Sequence, residues 1–265
     1  MWTSVRTTRR ALTLLPLLAG LGTLAQPGPA GALELTLAPI QVYLAPTQKS
    51  AILRIGNPNP QPLTVQVTVF AWSQDAEGHD KLEPTTDLLV FPQMLKLHAS
   101  SERNVRVGTT NPDRSAERTF RLLIEPVLTT TPHPEEPGKP TRSALATIIT
   151  RSSVPVFIEP AKATPAPLTA AATLDAGTLR LRMTNPGRIH LPPPSISIKG
   201  YASGDELILD GERKAWYLLA GSTRTETIPL PAETCRQLTR LVLDLRSGQQ
   251  AETLTLPVTP DRCAP

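Results

Sequence analysis

In "LTVQVTVFAW", residues 63–72, Leu63, Val65, Val67 and Val69 fall on one face and Thr64, Gln66 and Thr68 on the other. Successive side chains of an extended chain point to opposite sides, so this alternation is that of a half-buried antiparallel strand. Similar stretches follow along the chain: "SAILRIGNP", "RNVRVGTT", "TFRLLIEP", "TLRLRMTNP", "SISIKGY", "RLVLDLRSG" and "ETLTLPV". Beyond the N-terminal region no segment of useful length has the helical period. Asn-Pro, Pro-Gly and Ser-Gly signals punctuate the strands, and many short strands so punctuated predict an all-β chain of sandwiches. Proline supports this, since at 29 of 265 residues it is about twice the usual share of ~5% and breaks helices.

Residues 1–32 read differently. Arg6, Arg9 and Arg10 precede the apolar run Ala11 to Ala25, and the small residues Ala30, Gly31 and Ala32 follow, which is the layout of a secretory signal peptide cleaved after about Ala32. The run falls short of the roughly 20 residues that span a bilayer and is broken by Pro16, Gly20 and Gly22, so the chain is expected to be exported and not membrane-spanning. Thr8-Arg9-Arg10 also resembles a twin-arginine signal, which leaves the general and twin-arginine routes both open. The remainder, of about 230 residues, suits two sandwiches of roughly 100 residues each. The expected division is residues 33–160, a Pro- and Ala-rich linker at 161–167, and residues 168–265.

Charge then excludes one class of partner. Of the 27 basic residues three lie in the signal, leaving 24 against 23 acidic ones, and a nearly neutral chain with scattered charges offers no footprint for nucleic acid. Cys235 and Cys263 are the two cysteines. In an exported chain without a CxxC motif they are expected to form a disulfide, worth about 3–4 kcal/mol on the chain-entropy model. Chemistry is otherwise sparse. There is no GxSxG, HExxH or GxGxxG motif and no phosphate loop. His79, His98, His133 and His190 stand singly in loop-like settings and read as surface histidines, and Glu135-Glu136 reads as solvated charge. The expectation is a protein that is not an enzyme, with no cofactor and no metal.

A family resemblance enters with residues 35–160. In order the chain has Asn57-Pro58 after the second long strand, Trp72-Ser73-Gln74, "LEPTTDLLVFP" from Leu82, Arg106-Val107-Gly108, Arg121-Leu122, and Val154-Pro155-Val156-Phe157. As an ordered set these resemble the first domain of the periplasmic pilus-assembly chaperones of the chaperone–usher pathway, closest to the archaic, Csu-like branch. "YLLAGSTRTETIPLP", residues 217–231, is similar to a turn of the family's second domain. The resemblance implies two immunoglobulin-like β-sandwich domains in a boomerang arrangement, working in the periplasm.

It also implies a mechanism. Pilus or fimbrial subunits in this pathway lack their last strand, and the chaperone lends one of its own before the subunit passes to an outer-membrane usher. The lent strand falls on residues 144–158, with Ala146, Ile148, Thr150, Ser152 and Val154 on one face, after the Pro-rich loop Thr129 to Arg142. Neither face of this strand is rich in large apolar residues. Pro155 has no N–H to donate and is expected to end the pairing near it. The arginine and lysine with which familiar members hold the subunit's terminal carboxylate fall here at Gln41 and Pro155. The resemblance moves that anchor to Arg121 of "RTFRLLIEP", with Arg151 as helper and Arg106 structural. A self-capping homodimer is a further option for the free chain. The competing expectation is an exported immunoglobulin-like adhesin or surface-structure module.

Overall fold

The computed structural model describes residues 34–127, 150–163 and 166–263. Residues 1–33, which include the expected signal peptide, lie outside them. Among the described residues the first sandwich is built from β1 (Thr36–Ala38), β2 (Val42–Leu44), β3 (Ser50–Asn57), β4 (Leu63–Gln74), β5 (Asp80–Pro84), β6 (Leu89–Phe91), β7 (Met94–Leu97), β8 (Ser101–Gly108), β9 (Arg118–Val127) and β10 (Ser152–Ile158). One sheet runs β1-β3-β8-β6. The other runs β2-β10-β9-β4-β5, with β7 also paired to β4.

The alternation read from the sequence decides what fills the space between these sheets. Leu63, Val65, Val67 and Val69 of β4 point inward, as do Leu53 and Ile55 of β3, Val105 and Val107 of β8, and Phe120, Leu122 and Ile124 of β9. Each such buried aliphatic or aromatic side chain contributes about 1.5–3 kcal/mol relative to exposure. At Trp72 the parity of β4 changes: this residue lies on the opposite face from Val65 and Val67 and is nevertheless buried. The outer face of the large sheet is therefore also covered at this end of β4.

The second sandwich holds β11 (Thr169–Asp175), β12 (Thr178–Thr184), β13 (Ser195–Tyr201), β14 (Leu207–Lys214), β15 (Thr223–Pro229), β16 (Arg240–Ser247) and β17 (Gln250–Pro257). Its sheets run β11-β12-β15 and β14-β13-β16-β17. Leu179, Leu181, Ile196, Ile198, Leu241, Leu243 and Leu245 form its core by the same alternation. A short α-helix, α1 (Ala232–Gln237), lies between β15 and β16; six residues are too few for a helical period to register in the sequence. Cys235 of α1 is bonded to Cys263, with 5.7 Å between their Cα atoms, and both are buried in this core.

The neighbours of β10 differ along its length. It pairs antiparallel with β9 from Ser152 opposite Ile124 to Ile158 opposite Arg118. On its other side β2 runs parallel to it, but only at Val156–Ile158. From Ser152 to Pro155 that second edge has no strand beside it among the described residues. Pro155 does not end the β9 ladder, which continues past it through Val156, Phe157 and Ile158. What changes next to Pro155 is the opposite edge, because β2 begins to pair at Val156.

Candidate functional site

Strand β9 separates two environments. Phe120, Leu122 and Ile124 face the core of the first sandwich, while Arg121 points the other way, toward side chains of the second. A strand residue buried on that outer side must have a cover. Part of it is a small aromatic cluster of Trp72, Phe157, Tyr217 and Leu219, to which the first sandwich contributes the first two and the second sandwich the last two. Trp72 and Tyr217 meet edge to face with ring centroids 5.5 Å apart, a favoured aromatic geometry.

Arg121 sits at one side of this cluster and is only 4% exposed. Its guanidinium carbon lies 3.7 Å from the centre of the Trp72 ring, 5.1 Å from that of Trp216 and 5.7 Å from that of Tyr217. The π faces compensate part of its charge. The nearest carboxylate belongs to Asp80, whose Oδ2 is 3.8 Å from Arg121 Nη2. That is ion-pair range but too long for a hydrogen bond, and Nη2 is buried with no hydrogen-bond partner among the described residues. Burial lowers the Arg121 pKa, while Asp80 and Tyr217 work in the opposite direction.

Gln41, where the familiar clamp would place an arginine, donates from Nε2 to the Tyr217 hydroxyl and accepts from the Tyr43 hydroxyl at 3.1 Å. Burial raises the pKa of both tyrosines. For Tyr43 the charges of Tyr217, Glu117 and Glu159 add to the rise; for Tyr217, Arg121 and the bond to Gln41 oppose it.

A second polar pair joins the two sandwiches. Glu117, just before β9, accepts the backbone N–H of His190 at Oε1 (2.9 Å), and its Oε2 lies 2.8 Å from His190 Nδ1. The imidazole is stacked on Phe157 with centroids 3.6 Å apart. His190 is therefore no surface histidine. The pocket that buries it is made by Phe157 and Glu117 of the other sandwich, so nothing in its own loop announces it.

The remaining expected site residues are spread out. Arg151 is 64% exposed and its Nε donates to Glu125, four residues beyond Arg121 on β9, a strand distance of about 13 Å. Val154 is buried in the core of the first sandwich, Ser152 is half-buried and Thr150 is exposed ahead of β10; Ala146 and Ile148 lie outside the described residues. Arg106 donates to Ser50 Oγ at 2.9 Å on the other sheet. Asp75, Glu77 and His79 approach one another within 4.8 Å in the turn after β4. There the Asp75 carboxylate accepts the backbone N–H groups of Glu77 and His79, which accounts for its place as the cap of that turn.

Comparison with known proteins gives a consistent picture. The family described as "Pili and flagellar-assembly chaperone, PapD N-terminal domain" matches residues 34–164. No curated protein matches the chain in sequence. Among solved structures, the complex of the chaperone CsuC with the tip adhesion subunit CsuE from archaic Csu pili of Acinetobacter baumannii matches with a TM-score of 0.53 at 17% identity, covering 84% of this chain and 97% of that one. The Salmonella enterica SafA pilin in complex with the SafB chaperone matches with a TM-score of 0.54 at 18% identity, covering 86% and 98%. At these identities the likeness speaks for the fold. Among the described residues no helix is long and apolar enough to cross a membrane.

Proposed function

Because the chain belongs to the family of pili and flagellar-assembly chaperones, we propose that it binds a pilus subunit in the periplasm by lending it the free edge of β10, holds the subunit's terminal carboxylate with Arg121, and releases it to an outer-membrane usher. The observation that carries this reading is the second edge of β10, open from Ser152 to Pro155 and in register with Arg121 at Pro155. An open edge offers backbone N–H and C=O groups to an incoming strand, and a subunit lacking its last strand needs such an edge.

Register links the two parts of the site. Val154 is opposite Leu122 and Pro155 opposite Arg121, so a strand laid along β10 toward β2 reaches the level of Arg121 where the free edge stops. A terminal carboxylate arriving there would meet a guanidinium with an unused donor. Leaving a buried donor unsatisfied costs about 1–3 kcal/mol, and a charge-assisted bond to a carboxylate would recover it. Thr150, Ser152 and Val154 supply the described part of the expected row; Ala146 and Ile148 lie outside the described residues. Arg151, engaged by Glu125, acts at most on the subunit's flank. No external energy source enters this scheme, since one strand pairing is exchanged for another.

Co-expression with a pilus subunit tests it. The expected result is a soluble one-to-one complex that protects the subunit from aggregation and proteolysis. A subunit equally soluble, monomeric and protease-resistant without this chain overturns the reading.

A further inference from the structure

A guanidinium that takes a partner's carboxylate must be reachable, and Arg121 is only 4% exposed. Two side chains from different sandwiches complete its cover beyond the aromatic cluster. Asp80 is the first residue of β5, and Trp216 lies between β14 and β15. The Trp216 indole N–H donates to Asp80 Oδ2 at 2.8 Å, and that same oxygen is the one 3.8 Å from Arg121 Nη2. Asp80 Oδ1 accepts a long bond from Gln74 Nε2 at 3.3 Å.

These covering groups are held less firmly than the group they cover. The Asp80 side chain is 29% exposed and Trp216 is 41% exposed. Strand β5 is exposed along its whole length and pairs only with β4 at the end of its sheet. Trp72, by contrast, is buried behind the guanidinium and forms a fixed floor. Asp80 balances the charge of Arg121 from 3.8 Å without satisfying its hydrogen-bonding capacity, which a carboxylate at the usual 2.7–2.9 Å would do.

We propose that Asp80 and Trp216 form a displaceable lid in which the Asp80 carboxylate stands in for the partner's terminal carboxylate, so that binding exchanges one carboxylate for another and Asp80 sets the affinity threshold a partner must exceed. This rests on reading Arg121 as the anchor. A neutral chain end cannot make the exchange, because displacing Asp80 would leave a buried guanidinium uncompensated, which is costly. A terminal carboxylate can, since it replaces the charge and adds the missing hydrogen bond.

The test uses the isotope-labelled full chain and two small probes, acetate and neutral acetamide, at constant ionic strength. The Trp216 indole N–H resonance, assigned with Trp216→Phe, reports the lid. Acetate is expected to shift it and acetamide to leave it in place. Asp80→Asn removes the competing charge at nearly constant shape and is expected to tighten acetate binding by roughly two- to fivefold, the scale of a partly exposed ion pair. In Trp216→Phe a smaller aromatic ring remains and the indole N–H is lost, and the backbone amide of Asp80 is expected to report a smaller tightening. Binding that is unchanged or weaker in Asp80→Asn, or absent from both wild type and Asp80→Asn, overturns the lid. Arg121→Ala separates the two readings: if it abolishes the acetate response while Asp80→Asn changes nothing, the anchor stands and the lid fails, whereas an acetate response that survives Arg121→Ala removes the anchor itself.

Discussion

Two acid–base pairs lie where the sandwiches meet, and they are built to opposite specifications. Both oxygens of Glu117 are engaged by His190, its side chain is 2% exposed, and the imidazole is pressed against Phe157. Asp80 and Arg121 stand 3.8 Å apart, one partly in solvent and the other buried with an unused donor. A buried polar group with its bonds complete locks the parts that carry it, whereas one short of a partner is a cost that a ligand can remove. The first pair is therefore a clamp between sandwiches and the second an incomplete pair, the one proposed above to take a partner's carboxylate, although both are a carboxylate beside a nitrogen base.

The largest expected effect comes from emptying the second pair. Arg121→Ala should weaken a complex with a pilus subunit by about 2–5 kcal/mol, the usual penalty for truncating one member of a buried charged pair at an interface. The free protein should stay within about 1 kcal/mol of wild type, because the lost cation–π contact and the relieved unsatisfied N–H nearly offset each other. Calorimetric titration and urea unfolding measure the two quantities. A variant that loses stability as steeply as affinity would make Arg121 a structural clamp like Glu117.

Next in size is the converse substitution. Glu117→Ala leaves the backbone N–H and the ring nitrogen of His190 without their acceptor and should cost about 2–3 kcal/mol of stability in urea. Glu117→Gln, which keeps a carbonyl oxygen to accept one of the bonds, should lose about half as much. If Glu117→Ala unfolds at the wild-type midpoint, the pair does not hold the sandwiches together and the contrast with Arg121 disappears.

The sequence displayed these features unequally, for physical reasons. A period of two is imposed by the backbone itself, so "LTVQVTVFAW" and "RLVLDLRSG" could be read as β4 and β16 without knowing their neighbours. Arg121 was reachable through the ordered motifs around it. Its cover was not: Asp80 lies in the fully exposed β5 and Trp216 lies 136 positions further on in a loop, and no local pattern couples them. The burial of His190 is illegible for a similar reason, since burial created by another domain's Phe157 leaves no periodic trace in a lone loop histidine. Trp72 breaks the parity of β4, and a large aromatic on the supposed solvent face of a strand calls for a second cover.

The two ends of the aromatic cluster should also differ in alkali, with the smallest effect. Tyr43 and Tyr217 both bond to Gln41 and lie near His190, but Tyr43 feels Glu117 and Glu159, whereas Tyr217 lies beside Arg121. Both phenols have a pKa raised above the ordinary value near 10, chiefly by burial. The unfolded chain then loses these protons at lower pH than the folded one, so their contribution to stability is complete below about pH 10 and is lost as the pH climbs through the folded values. The charge of Tyr217 and then the carboxylates of Glu117 and Glu159 push Tyr43 further upward while Arg121 restrains Tyr217, so Tyr43→Phe should flatten the alkaline loss more than Tyr217→Phe does. Because Tyr43 is 41% exposed, solvent screening limits the difference to a few tenths of a kcal/mol. Urea midpoints followed from neutral to strongly alkaline pH would resolve it. Equal flattening by the two substitutions would mean that the charges of Glu117 and Arg121 do not reach the tyrosines beside them.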